Sequence, residues 1–195
     1  MDREKHRSCA TTVLGPTASR AVLLPGKSDR VLRKLIADLF TVAGRMAAVR
    51  QHLGARVGLS GPQFSIMMAV AELQGAAGVS VGTLARHLHV ASAFVTAETG
   101  KLIRKGYIEK HADAADRRVA RLRIGREGQA ALRPAMPLVR EVNDLFWGFE
   151  SRARFAAACG AIARIVDTSE RAVAVAADPK GAPAGLEERG RRAAS

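Results

Sequence analysis

Leu32, Leu35, Leu39, Val42, Met46, Val49 and Leu53 follow one another at alternating steps of three and four, a spacing that gathers side chains on one face of an α-helix. Ile36, Phe40, Ala43 and Ala47 lay a second apolar stripe beside the first. The pattern predicts a long helix over 29–53, capped by Ser28 or Asp29. One stripe can be buried inside a subunit. Two require a further surface, supplied by a second chain or by a monomeric bundle.

Ser60-Gly61-Pro62 reads as the next helix start, with Pro62 at the first helical position and Phe64, Met67, Met68 and Ala71 facing inward. Gly75 to Gly78 ends it, and Ser80 caps a short helix bearing Val81, Leu84 and Leu88. After a turn at His89-Val90 a helix is predicted from Ala91 to Lys105. Val95, Thr99 and Leu102 point inward, leaving Ser92, Ala93, Thr96, Ala97, Gly100 and Lys101 outward. Gly106 stops this helix. From Val119 the period becomes two, with Ala120, Leu122 and Ile124 on one face and Arg121 and Arg123 on the other, while Tyr107 to Lys110 supplies the partner strand. The connection from His111 to Arg118 is longer than a tight hairpin turn and rich in Asp and Arg. Residues 126–149 are helical again, kinked by Pro134 and Pro137. Their stripe is Leu138, Val142, Leu145 and Phe149, with Val139, Phe146 and Trp147 beside it. A final helix over 152–177 carries Phe155, Cys159, Ile162, Val166 and Val173, and Asp178-Pro179 ends it. Residues 1–28 read as a flexible arm and 178–195 as a disordered tail. The fold class is mainly α with a small β-wing: a winged helix-turn-helix flanked by long N- and C-terminal helices.

With 195 residues, 48% of them hydrophobic, the chain has ample material for one globular core, and aromatics at 4% make that core aliphatic. No apolar run approaches the roughly 20 residues of a membrane span, and the start of the chain lacks a signal-peptide pattern. The expectation is a soluble, cytoplasmic protein without a membrane partner. Cys9 and Cys159 are far apart and form no metal-type spacing, which suits a reducing compartment.

Charge sharpens the picture. Between Lys101 and Arg126 stand nine cations and three anions, so this stretch holds +6 of the formal +13. Excess charge spread evenly can reflect composition alone, but a clustered excess asks for an acidic partner. A helix followed by a cationic ribbon suits double-stranded DNA, the helix in the major groove and the ribbon on phosphates or in the minor groove. Ser92 and Thr96 can hydrogen-bond to base edges, and Ala93 and Ala97 can touch thymine methyls. Lys101, Arg104, Lys105 and the ribbon supply phosphate contacts.

Four fragments, in order and at matching separations, resemble the MarR-type transcriptional regulators of bacteria, named for multiple antibiotic resistance. Leu84-Ala85-Arg86-His87-Leu88-His89-Val90 is similar to that family's LAxxLxV stretch, and Leu102 to Lys110 to its LxxKGLIxR stretch. Asp113-Ala114-Ala115-Asp116-Arg117-Arg118 resembles the DPxDRR wing signature, and Ile124 to Gly128 sits where the family has LTxxG. The likeness covers about residues 31–177.

The resemblance implies a homodimer built from helices at about 29–53 and 126–177, with a DNA-binding lobe at about 60–125. Two such lobes bind a pseudo-palindromic operator, their helices one turn apart at roughly 34 Å. It implies that Arg117 or Arg118 enters the minor groove, Arg118 being favoured, while Asp116 holds an arginine in place. It also implies a repressor released by a small effector, an aromatic acid or its thioester, in a cleft lined by Met46, His52, Phe64, Met67, Met68, Phe146 and Trp147. Arg45, Arg50 and Arg56 are then available to pair with an anion.

Three positions depart from the family pattern. His89 stands where a turn glycine is common, Ala91 replaces a Ser or Thr helix cap, and Gly100 replaces a polar residue. Two further triggers are open to the sequence: a redox role for Cys9 beside Lys5, His6 and Arg7, and metal binding by His87 and His89, which no Cys or carboxylate cluster completes. The chain shows no Gly-rich phosphate loop after a strand, no nucleophile elbow and no metal quartet. The expectation is therefore a non-enzyme without a cofactor. The alternatives are a non-specific architectural DNA-binding protein or a small-molecule enzyme on a helical scaffold, with His52 its candidate residue.

Overall fold

The computed structural model describes residues 15–113, 116 and 118–178. Expectations for Cys9, for Arg117 and for the segments 1–14 and 179–195 fall outside them. The helices are α1 (Arg30–Arg56), α2 (Gly61–Leu73), α3 (Val81–Leu88), α4 (Ser92–Arg104), α5 (Arg126–Leu132), α6 (Met136–Phe146) and α7 (Arg152–Ala177). The strands are β1 (Val79–Ser80), β2 (Ile108–Ala112) and β3 (Ala120–Ile124). Two compact units result, one of residues 41–148 and one of residues 1–40 with 149–195, and α1 contributes to both. The architecture is mainly helical with a small antiparallel sheet, as the periodicities predict.

The 41–148 unit holds the core. Ile66, Met67, Val70, Leu84, Val95, Leu102, Ile108 and Leu122 are all but inaccessible to solvent, so α2, α3, α4 and the sheet close around one aliphatic centre. β3 lies between β1 and β2, antiparallel to both, with Val79 opposite Leu122 and Ile108 opposite Ile124. The two-residue β1 escapes a sequence reading because it is too short to show a period.

Local chemistry sets the helix ends. Ser60 and Gln63 form a reciprocal capping box on α2, and Pro62 sits second in that helix, after Gly61. The Ser80 hydroxyl accepts the N–H of Thr83 at 3.1 Å. Gly106, at φ 71°, turns the chain out of α4 into β2 in a backbone region open to glycine.

Three expectations need correction. On α2, Ala71 is exposed while Ile66, Ala69 and Val70 are buried, because α2 packs against several elements at once rather than along one face. α6 ends at Phe146, so Phe149 is not part of its stripe. Of that stripe and its neighbours only Val139 is buried, and Leu145 is 79% exposed. The kink at Pro134 takes the form of a 3-10 turn over Arg133–Ala135.

In the second unit, Ala21–Leu23 and Pro25–Lys27 form short 3-10 turns. Asp29 precedes α1 and its carbonyl accepts the N–H of Arg33. Its buried carboxylate turns instead to Thr17, accepting the backbone N–H at 2.6 Å and the hydroxyl at 2.7 Å. Those two bonds, with Arg33 at 2.8 Å, hold its pKa below the usual range. No apolar side chain of this unit is buried among the described residues. Val31, Leu35, Ile36 and Phe40 on α1 are exposed, as are Phe155, Ile162, Ile165, Val166 and Val173 on α7.

Candidate nucleic-acid interface

α4 divides as its sequence predicts. Val95, Thr99 and Leu102 are buried, while Ser92, Ala93, Thr96, Ala97 and Lys101 are exposed and Gly100 is half-buried. The turn ahead of it is a Schellman closure of α3. The Val90 N–H bonds to the Ala85 carbonyl and the His89 N–H to that of Arg86, with His89 left-handed at φ 52°. Ala91 occupies the cap position of α4 without a side-chain hydrogen bond. The Thr96 hydroxyl donates to the Ser92 carbonyl at 2.9 Å.

Cations close the outward face. Lys101, Arg104 and Lys105 are exposed at the end of α4. Lys101 is also tied to its own helix, its Nζ donating to Glu98 Oε1 at 2.6 Å, while Gln63 Nε2 donates to the other oxygen at 2.9 Å. These two donors, Lys101 first, lower the Glu98 pKa from the usual 4.5. Glu98 and Gln63 were not singled out from the sequence. The three-residue step from Glu98 to Lys101 is the signal that marks this pair.

The wing tip is built by its two aspartates. Asp113 Oδ1 accepts the N–H of Asp116 at 3.1 Å, and Asp116 Oδ1 accepts the N–H of Arg118 at 2.9 Å, the second of these an Asx turn. Asp113 Oδ2 also binds the guanidinium of Arg121. Among the described residues of the wing, then, the arginine side chain held by a carboxylate is Arg121, and its holder is Asp113. Asp116 shapes the backbone that presents Arg118, which is exposed.

The expected effector residues separate. Met46, Phe64, Met68, Phe146 and Trp147 line one cleft of about 270 Å³. Met67 is fully buried in the core, and Arg45 and His52 are exposed and line no part of the cleft. Arg50, Glu72 and His87 are the ionisable residues of its lining. Among the described residues no three His, Cys, Asp or Glu side chains are grouped so as to hold a metal ion. No described helix is long and apolar enough to cross a membrane.

A helix pair joined by a tight turn, followed by a two-stranded wing with a basic tip, defines a winged helix-turn-helix. The model of the MarR family matches residues 57–119, from the end of α1 to the start of β3. No curated protein matches the sequence. The chain is similar to the transcriptional regulator BldR from Sulfolobus solfataricus, with 26% identity over 69% of this chain and 97% of that one, at a TM-score of 0.54. It shares its fold with MepR of S. aureus in a DNA complex, at 12% identity, 67% and 92% coverage and a TM-score of 0.59. A mutant MarR from E. coli complexed with operator DNA gives 16% identity, 68% and 93% coverage and a TM-score of 0.56. The lobe is a winged helix, and the stretch of it at residues 57–119 is similar to the MarR family, as its motifs implied.

Proposed function

We propose that the chain is a DNA-binding transcriptional regulator of the MarR type, acting as a homodimer on a pseudo-palindromic operator. The observation that carries this is the division of α4, which buries three side chains and turns a small, uncharged beginning and a cationic end outward. Small groups admit base edges closely, and the cations reach phosphates. Arg118 at the wing tip suits the minor groove, where a cation meets strong negative potential. MepR and MarR, which share the fold, are each found in complex with DNA, and this supports DNA as the partner.

The unburied apolar faces of α1 and α7 support dimerisation, since two long helices with that much exposed Phe, Ile, Val and Leu gain burial only against another chain. The cleft of about 270 Å³ suits a small aromatic acid better than a bulky thioester. Binding there acts as the release signal of a repressor. Footprinting on DNA flanking the chain's own gene, with light scattering of the free protein, tests the reading. A protected palindrome and a dimer are expected; equal affinity for random DNA favours an architectural role instead.

A further inference from the structure

The amide of Gln63 ties two helices together. Its Oε1 accepts the Ser60 N–H at 3.3 Å, closing the capping box of α2, and its Nε2 donates at 2.9 Å to Glu98 Oε2 on α4, 35 positions along the chain. The other Glu98 oxygen accepts from Lys101 Nζ at 2.6 Å. Glu98 borders the outward face of α4 with 12% of its side chain exposed, whereas that of Lys101 is half open, at 50%.

An ordinary i, i+3 pair on a helix surface competes with water and holds neither partner firmly. Here the carboxylate is shielded and anchored from a second helix, so α2 sets its position and the lysine is tethered to a fixed acceptor. A free lysine swings on its four-carbon stem and finds a phosphate on a duplex lying at almost any angle. That reach feeds sequence-independent binding. A tethered ammonium keeps two of its three protons, but it offers them in one direction. It then meets a phosphate only where the duplex lies closely on α4.

We infer that Gln63 is a positioning residue for DNA specificity, acting through Glu98. It keeps Lys101 from phosphates on ill-fitting DNA, so preference for the operator depends on a side chain of α2 as well as on those of the reading helix. Discrimination of this kind works by weakening the wrong complex more than the right one. The consequence for DNA rests on the function proposed above, whereas the restraint on Lys101 does not.

The test separates this role from the helix cap. Gln63→Met keeps the length of the side chain and removes both of its bonds. Ser60→Ala removes the hydroxyl half of the capping box but keeps the N–H that Gln63 holds. Affinity of the full chain for the footprinted operator and for random DNA is measured across a salt series. Gln63→Met is expected to tighten binding to random DNA, steepen its salt dependence by about one phosphate contact and lower the operator-to-random ratio about threefold. Ser60→Ala is expected to lower the melting temperature and leave the ratio as it is. The exchange of Gln63→Glu with Glu98→Gln lets an amide at position 98 donate to a carboxylate at position 63 and accept from Lys101. It should return the ratio to that of the parent.

Trace acetylation without DNA, followed by mass spectrometry, reads the tether directly, and Lys101 should react faster in Gln63→Met than in the parent. A ratio that falls equally in Gln63→Met and Ser60→Ala, or a Lys101 reactivity that Gln63→Met leaves unchanged, overturns the proposal. A parent that binds every DNA alike, while Lys101 still becomes more reactive in Gln63→Met, supports the restraint and overturns the regulator reading instead.

Discussion

Asp113 Oδ2 accepts the Nε–H of Arg121 across the tip end of the wing, eight residues apart in sequence. The carboxylate is largely shielded, with 13% of its side chain exposed, and the guanidinium is only partly open, at 32%. Arg121 therefore braces the hairpin, whereas Arg118 is exposed and is the arginine that the proposed docking brings to the duplex.

The two arginines should differ in how salt affects their loss. Arg118→Ala is expected to weaken operator binding and lower the slope of log affinity against log salt by about one. Arg121→Ala should cost about tenfold in affinity through a loosened wing, with the slope nearly unchanged. Replacing Arg117 and Arg118 together by Ala should cost several kcal/mol of binding while helicity and dimerisation persist. Fluorescence anisotropy across a salt series measures all three, and equal slopes for the two single variants contradict the division of roles.

Thr96 spends its proton on the Ser92 carbonyl, so toward a base edge its hydroxyl acts as an acceptor. It should prefer an amino group in the major groove, from adenine or cytosine. Thr96→Ala is expected to relax preference at one operator position at a cost of about 1 kcal/mol, read by competition with single-base operator variants. A uniform loss on every sequence would place the residue on phosphate.

Glu98 ties stability to pH. Its folded-state pKa is depressed by Lys101 and then Gln63, so it stabilises the fold above its usual value of 4.5. That contribution disappears as pH falls through the lower folded-state value. The urea midpoint should drop more steeply below pH 4.5 for the parent than for Glu98→Gln. The same variant frees Lys101 and removes a negative charge from the helix proposed to read DNA, so its affinity for any sequence should rise.

His89 and Ala91 are weak local choices. His89 is held left-handed at φ 52° and Ala91 caps α4 with no side-chain acceptor. His89→Gly should stabilise by about 0.5–1 kcal/mol and Ala91→Ser by about 1 kcal/mol. Thermal melts of each variant and of the pair measure the gain, and adjacent sites need not add fully.

Gly128 admits no side chain. A Cβ there falls 2.2 Å from the Tyr107 carbonyl oxygen and 2.9 Å from Met67 Cε. Gly128→Ala should destabilise by about 1–3 kcal/mol, as overpacking against a fixed backbone does. A melt identical to the parent's would mean that α5 has room to shift away from the sheet.

Whatever depends on neighbours within a turn or two could be read from the sequence. The burial of Val95, Thr99 and Leu102, the helix stop at Gly106, the alternation of β3 and the strained turn at His89 follow from backbone geometry that repeats over a few residues. The basic cluster and the aspartate spacing of the wing are legible for the same reason.

Tertiary structure alone decided which remote segments touch. Gln74 lends its side-chain oxygen to the N–H of Ile124, fifty positions later, at 2.8 Å. Gly125 and Gly128 are required because the Gly106 and Tyr107 carbonyls press against them. Met67 is sealed in the core while Met68, its neighbour, lines a cleft, as does Arg50. No local period encodes these contacts, because they arise where three elements far apart in sequence are packed at interior density and each must yield to the shape of the others.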